Sequence, residues 1–290
     1  MKTLNCVDLF AGSGGTTTGL VQAAGMLGLK VKLVAINSWP TAIETHAANY
    51  PHFRHICKNI MAVNPLDIGF RRGRLHLMVA SPECKWHSKA RGNKPVNDQL
   101  RISAWDVVRF TEELMPWVLV VENVQEFADW GPIDANGRPI KEHRGVIFDS
   151  WCNAIKSLGY TLEKRILCSA DYGDPTIRRR LFIIAYRKKN DEIHWPVATH
   201  SKDGIGGLKR WVPASKIVDW NFPSRSIFDP LRRKLCANTI KRIRVGVAKF
   251  YGQNAQPFRP YTPRGQGRAG GRFPFQPVAP MPSTPSRTRV

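Results

Sequence analysis

Short apolar runs alternate with amphipathic stretches through the first 190 residues of the chain. Runs this short and this rich in Val, Ile and Leu read as buried strands, at Leu4–Ala11, Val31–Ile36, Leu75–Ala80, Trp117–Glu122, Leu162–Ser169 and Leu181–Tyr186. Between them the spacing predicts helices at about 16–26, 40–48, 101–115 and 147–158; in the third, Ala104, Val107, Val108 and Leu114 share a face. Strands of this kind alternating with helices predict an α/β fold with a mostly parallel sheet. Such sheets bind ligands at the carboxyl ends of their strands, so the residues just after each apolar run carry the interest.

Two polar, glycine-containing segments, 87–99 and 131–145, interrupt the pattern and read as surface loops. Beyond Arg187 the pattern is irregular until Ala237–Phe250. There Ile240, Ile243, Val247 and Phe250 share a helical face, and Lys241, Arg242, Arg244 and Lys249 fall largely off it. That is a solvated helix packed by its apolar stripe before it is a DNA-contact helix. From Gln253 to Val290 there are 8 Pro, 6 Arg and 4 Gly in 38 residues with no acid, which reads as an unfolded tail. The expected organisation is a catalytic domain at 1–187, a connector and the start of a second region at 188–251, and a Pro/Arg/Gly-rich tail at 252–290.

Charge narrows the partner. The 290 residues hold 44 Lys+Arg against 22 Asp+Glu, a formal charge of +22, which makes a polyanion the default partner. No acid follows Asp229, and residues 230–290 carry +13, leaving +9 for the rest. No apolar run approaches the roughly 18–20 residues of a membrane span, and the first residues lack a signal-peptide core. Six cysteines scattered without any CxxC argue against a disulfide framework or zinc ribbon and predict a reducing, cytoplasmic setting.

Four short motifs bear chemistry. Asp8-Leu-Phe-Ala-Gly-Ser-Gly-Gly15 is a strand entering a glycine turn and a helix, a place where backbone passes close under a ligand. Gly12 and Gly14 fit the dinucleotide pattern GxGxxG, but its third glycine is replaced by Thr17. The next strand ends in Asn37 where an acid would bond a ribose; Asn37 serves either that purpose or a turn. Ser81-Pro-Glu-Cys84 puts a cysteine at a strand end; Lys85 favours its thiolate and Glu83 opposes it, and the alternative is a small semi-buried residue. His87 adds one CxxH pair, too little for a metal site, and His46, His52, His55 and Cys57 lack zinc spacing, so no metal is expected.

Val120-Val-Glu122-Asn-Val124 ends another apolar strand in a carboxylate suited to proton exchange, or to a structural salt bridge. In Thr176-Ile-Arg178-Arg-Arg180, strand alternation sends Arg178 and Arg180 to one side. Two guanidiniums on a face suit a polar substrate or a phosphate; pairing with Asp171 or Asp174 is the structural alternative.

In type and order these motifs resemble the DNA (cytosine-5) methyltransferases: the FAGxGG turn, the cysteine after a strand, Glu-Asn-Val and the RxR strand start. Asp98-Gln-Leu-Arg101, Glu126-Phe127, Trp195-Pro196, Thr199-His-Ser201 and Asn238–Ile243 look like a phage or prophage-type branch of the kind met in restriction-modification. The resemblance covers about residues 3–250. It implies a class I, Rossmann-like methyltransferase fold and S-adenosyl-L-methionine as cofactor, held by Phe10, Gly12, Gly15, Asn37, Asn59 and Ile60. It implies catalysis by Cys84, Glu122, Arg178 and Arg180 on a cytosine flipped out of double-stranded DNA. The chain departs from the family at Glu83 and Lys85, the neighbours of the nucleophile, and at Thr176, where a Gln is usual.

No closing Gly-Asn motif or target-recognition region is recognisable after Phe250, so the expected second region is truncated, and the abrupt change of composition suggests a frameshifted or truncated gene. Three readings follow: cytosine C5 methylation of duplex DNA by a monomer, the same chemistry on RNA, or a catalytically impaired remnant that binds nucleic acid through charge.

Overall fold

The computed structural model of the protein describes residues 2–83, 102–188, 192–219 and 234–251. Seven strands form one sheet: β1 (Thr3–Leu9), β2 (Lys30–Asn37), β3 (Arg54–Cys57), β4 (Leu77–Ala80), β5 (Val118–Asn123), β6 (Thr161–Cys168) and β7 (Arg179–Tyr186). Their order is β3-β2-β1-β4-β5-β7-β6. The first five run parallel, and β7 lies antiparallel between β5 and β6. The parallel strands alternate with α1 (Gly15–Met26), α2 (Pro40–Asn49) and α3 (Ser103–Leu114), and α4 (Val146–Ser157) precedes β6. A two-stranded parallel ribbon, β8 (His200–Ser201) with β9 (Lys209–Arg210), follows.

The predicted strands and helices of the first 190 residues all stand within a few residues of their expected bounds. Sequence reading missed β3, whose Arg-His-Ile-Cys offers no apolar run, and the two-residue β8 and β9.

The main core forms where α3 and α4 pack on the sheet. Phe110 of α3, Phe148 and Trp151 of α4, and Phe127 just after β5 are at most 1% exposed. Trp151 Nε1–H donates to the Ala104 carbonyl at 2.8 Å, which ties α4 to α3 while satisfying the buried indole. A smaller cluster of Cys6, Ala11, Leu33, Ala35 and Phe53 gathers partly buried Leu20 and Val21 of α1 and Tyr50.

Contacts divide the chain into two units, Met1–Val218 and Asp219–Val290. In the second, the described residues include α5 (Ala237–Tyr251), where Ile240, Ile243 and Val247 are half-buried and Lys241, Arg242, Arg244 and Lys249 are exposed. Among the described residues no helix is long and apolar enough to cross a membrane.

Candidate active site

The strand order reverses between β1 and β4, and a crevice opens at the carboxyl ends of strands there. β1 ends at Leu9 and the backbone turns at once: Phe10 takes φ 61°, Gly12 53° and Gly14 101°. Glycine enters this left-handed region without steric cost, whereas holding Phe10 there costs about 1–3 kcal/mol. The turn is pinned by Ala11 N–H donating to the Ile36 carbonyl and Gly14 N–H donating to the Ala11 carbonyl, each at 3.1 Å. Gly14 caps α1, whose first-turn N–H groups lack intrahelical acceptors.

A cleft of about 250 Å³ lies beside this turn, and Phe10, Asn37, Asn59 and Ile60 all line it. Asn37 is the last residue of β2, not a turn residue, and its backbone carbonyl accepts Lys58 N–H at 3.1 Å. Asn59 Oδ1 accepts Met61 N–H at 3.1 Å, so the same residue caps the short 3-10 turn Ile60–Ala62. Gly12 and Gly15 stand outside the lining, but a Cβ built on either would meet no protein atom within 4 Å, so the space beside the turn is open. Sequence reasoning missed Ser38, Lys58, Ser81 and Ser103 as cleft residues. Ser81 was findable as the first residue after a strand; Lys58 was hidden with β3.

The lining suits a nucleoside-bearing cofactor. Phe10, Ile36 and Ile60 offer apolar surface for a flat ring, and the amides and hydroxyls offer hydrogen bonds to a sugar and a base edge. Ser103 Oγ is buried with no protein partner among the described residues, a polar atom left over for a ligand.

Glu122 and Arg180 meet at the far side of β4. Arg180 Nε donates to Glu122 Oε1 at 3.0 Å, with both side chains partly exposed. Arg180 Nη1–H also donates to the Arg179 carbonyl at 2.7 Å, which fixes the guanidinium plane. Arg180 therefore pairs with Glu122; Asp171, one of the alternative partners, accepts the Trp211 indole N–H instead, at 3.0 Å. Arg178 is exposed and precedes β7, and its carbonyl accepts Ser169 N–H at 3.0 Å.

Cys84 lies outside the described residues. The backbone that leads to it is fixed: Ser81 N–H donates to the Leu9 carbonyl at 3.1 Å, and Asn123 Nδ2–H donates to the Pro82 carbonyl at 3.0 Å. The strand end before Cys84 is thus bonded to the ends of β1 and of β5, the strand that carries Glu122. Glu83 is exposed in the cleft.

Behind the glycine turn is a buried polar chain. Asp8 is 1% exposed and Thr17 and His46 are 0% exposed. Thr17 Oγ1–H donates to Asp8 Oδ2 at 2.7 Å, His46 Nε2 contacts Thr17 Oγ1 at 3.0 Å, and His46 Nδ1 contacts His55 Nε2 at 2.9 Å. Burial pushes the Asp8 carboxyl up to about 7, against the Thr17 hydrogen bond. Burial, and then the neighbouring His55, hold His46 below the usual imidazole range; burial also lowers His55.

A profile of the C-5 cytosine-specific DNA methylases matches residues 4–205. The chain is similar to Type II methyltransferase M.SacI of Streptomyces achromogenes, 29% identical over 68% of this chain and 51% of that protein. It is also similar to Type II methyltransferase M.Sau3AI of Staphylococcus aureus, 25% identical over 65% of this chain and 44% of that protein. The chain thus spans about half the length of these curated relatives. A methyltransferase structure from Entamoeba histolytica superposes with a TM-score of 0.52 at 16% identity, covering 77% of this chain and 62% of the other. The fold is that of the class I S-adenosylmethionine-dependent methyltransferases, and the chain belongs to the C-5 cytosine-specific DNA methylase family.

Proposed function

We propose that the protein methylates C5 of cytosine in double-stranded DNA, with Cys84 as nucleophile and a base flipped out of the duplex. The observation that carries this reading is the Glu122–Arg180 bond of 3.0 Å beside the strand end that leads to Cys84. S-adenosylmethionine, when bound, supplies an electrophilic methyl group, and Phe10, Asn37, Asn59 and Ile60 would hold it, with Gly12 and Gly15 letting the backbone pass close. Cytosine C5 is a poor nucleophile, so this chain's own groups must activate the ring. The Cys84 thiolate adds to C6 and the electron pair of the C5–C6 bond moves toward C5 and the ring. Glu122 holds N3 and the exocyclic amine and carries the proton at N3. Arg180 bonds O2 while its bond to Glu122 keeps that carboxyl in place, and Arg178 contacts phosphate or orients the base. After transfer, water takes the C5 proton, the C5–H electron pair re-forms the C5–C6 double bond, and the C6–S bond breaks to release the Cys84 thiolate. A base inside a duplex is out of reach of these groups, so it must leave the stack.

The test is transfer of a labelled methyl group from S-adenosylmethionine to duplex DNA, with Cys84→Ala and Glu122→Gln controls and an RNA arm. Incorporation into DNA that vanishes in Cys84→Ala supports the reading. No incorporation by a folded wild-type chain overturns it in favour of a nucleic-acid-binding remnant, and incorporation into RNA alone moves the substrate.

A further inference from the structure

The third glycine of the dinucleotide pattern is replaced here by Thr17, and the structure supplies a reason. Thr17 stands in the first turn of α1, wholly buried, with Asp8 of β1 on one side and His46 of α2 on the other. The His46 ring also lies against the turn itself: a Cβ on Gly14 would come within 3.1 Å of His46 Cδ2. A second stitch runs alongside. Tyr50 O–H donates to Thr18 Oγ1 at 2.7 Å, and Thr18 Oγ1–H donates to the Gly14 carbonyl at 2.9 Å. His46 is absent from the cleft lining and lies behind the turn, against Gly14.

We infer that His46 is a positioning residue for the cofactor turn: through Thr17 and Gly14 it sets the shape of residues 10–15, and the chain of bonds from Asp8 to His55 makes that setting depend on pH. The inference rests on the reading that this turn holds S-adenosylmethionine.

Counting protons shows why. The chain has three links: Asp8 to Thr17, Thr17 to His46, and His46 to His55. Three protons fill them with one each, in either of two arrangements, while a fourth stays on the outer nitrogen of His55. In the first, Asp8 is a carboxylate and His55 an imidazolium; Thr17 donates to Asp8, His46 Nε2–H donates to Thr17, and His55 donates to His46. In the second, each of the three bridging protons has crossed its own link to the other atom: Asp8 is a neutral acid donating to Thr17, Thr17 donates to His46, and His46 Nδ1–H donates to a neutral His55. Both carry no net charge, and burial, which raises Asp8 and lowers His55, favours the second, in which neither is ionised. Removing one proton leaves a link without hydrogen and a buried negative charge. Adding one sets two N–H groups, or two O–H groups, against each other. The chain is intact only at the middle proton count.

The other ionisable groups around it are Cys6 on β1, pushed up to about 12 and so a thiol throughout, and Tyr50 and His52, whose rings lie 5.5 Å from His46 and 6.4 Å from Tyr50 respectively. His55 is only partly buried and gives the chain its contact with water.

The experiment uses the full chain. Affinity for S-adenosylmethionine is measured by calorimetry between about pH 5 and 8, the range in which imidazoles titrate. The variants are Thr17→Val, His46→Gln and Asp8→Asn. In parallel, imidazole nitrogen shifts of His46 and His55 are followed by NMR without cofactor. Wild type should show affinity that passes through a maximum and falls on both sides. Thr17→Val should bind about tenfold more weakly, the worth of one lost buried hydrogen bond, and lose the maximum. His46→Gln, whose amide can still donate to Thr17, should recover part of the affinity but not the pH profile. Steady-state kinetics should show the loss in KM for S-adenosylmethionine, with kcat nearly unchanged.

Asp8→Asn should shift the titration of His46 and His55 together. Affinity and pH profile unchanged in a folded Thr17→Val, or histidine titrations indifferent to Asp8→Asn, overturn the inference while leaving the functional reading intact. A wild-type chain that binds no S-adenosylmethionine overturns the functional reading and, with it, the inference's cofactor.

Discussion

In the proposed mechanism Glu122 and Arg180 divide the labour at the substrate end of the site. Replacing Glu122 by Gln keeps shape and hydrogen-bonding capacity but removes the exchangeable proton, and it also weakens the bond to Arg180. A general acid–base group contributes about 100-fold or more, so Glu122→Gln should lower kcat by at least that factor with little change in S-adenosylmethionine affinity. Steady-state methyl transfer against calorimetric binding separates the two effects.

Asp8 affords a second prediction at this scale. Its carboxyl titrates near 7 in the folded chain and near 3.8 when exposed, so the folded state holds the proton more tightly. The stability this adds is fully present below about pH 4 and is lost as pH rises through about 7. Asp8→Asn stays neutral throughout, so the stability of wild type relative to the variant should decline over that window in urea denaturation. A constant difference would mean that Asp8 is not protonated in the fold.

Among single residues, the strand-end rule led to Glu122, Asn37 and Arg180 from sequence alone, because each follows or begins a visible apolar run. The Asp8–Thr17–His46–His55 chain was not legible. Its partners lie 9 and 29 positions apart, and the sequence around the histidines suggests nothing beyond a metal cluster whose spacing does not fit. No periodicity signals that a hydroxyl will bridge two elements.

At the scale of elements, the glycine turn and the helices packed around it carry the site. Gly14 has φ 101° and its absent Cβ leaves room for the His46 ring. Gly14→Ala should therefore destabilise the fold by about 1 kcal/mol or more, through backbone strain and displacement of that ring. Gly15→Ala meets no atom and should leave thermal stability nearly unchanged while weakening S-adenosylmethionine binding. Comparing the two by thermal denaturation and calorimetry distinguishes a fold glycine from a ligand glycine. On the other side of the sheet, Trp151→Ala should cost about 3–5 kcal/mol, since it empties the largest buried volume of α4 and removes the indole bond to the Ala104 carbonyl.

The strands built from apolar runs were legible to within a few residues because burial on both faces demands such runs. β3 was not: it lies at the sheet edge with two exposed positions in four, and Lys58 and Asn59 come into the cleft with it.

For the whole molecule, +22 in 290 residues bears on how the chain would meet the DNA proposed as its substrate and not on any sequence preference. Binding to duplex DNA should weaken linearly in log–log terms as salt rises, whatever the sequence of the duplex, as counterion release requires. Titration of a labelled duplex at several salt concentrations measures it. The matched relatives are about twice as long as the stretch they share with this chain, which makes catalysis by this chain itself the central question.

That question has a direct measurement. A duplex carrying 5-fluorocytosine blocks loss of the C5 substituent after methyl transfer, so a working enzyme stays bonded to the base. Incubation with S-adenosylmethionine, followed by proteolysis and mass mapping, should find one DNA adduct, on Cys84, and none in Cys84→Ala. An adduct on another cysteine, or a folded chain that binds both partners and forms none, would contradict the proposed mechanism.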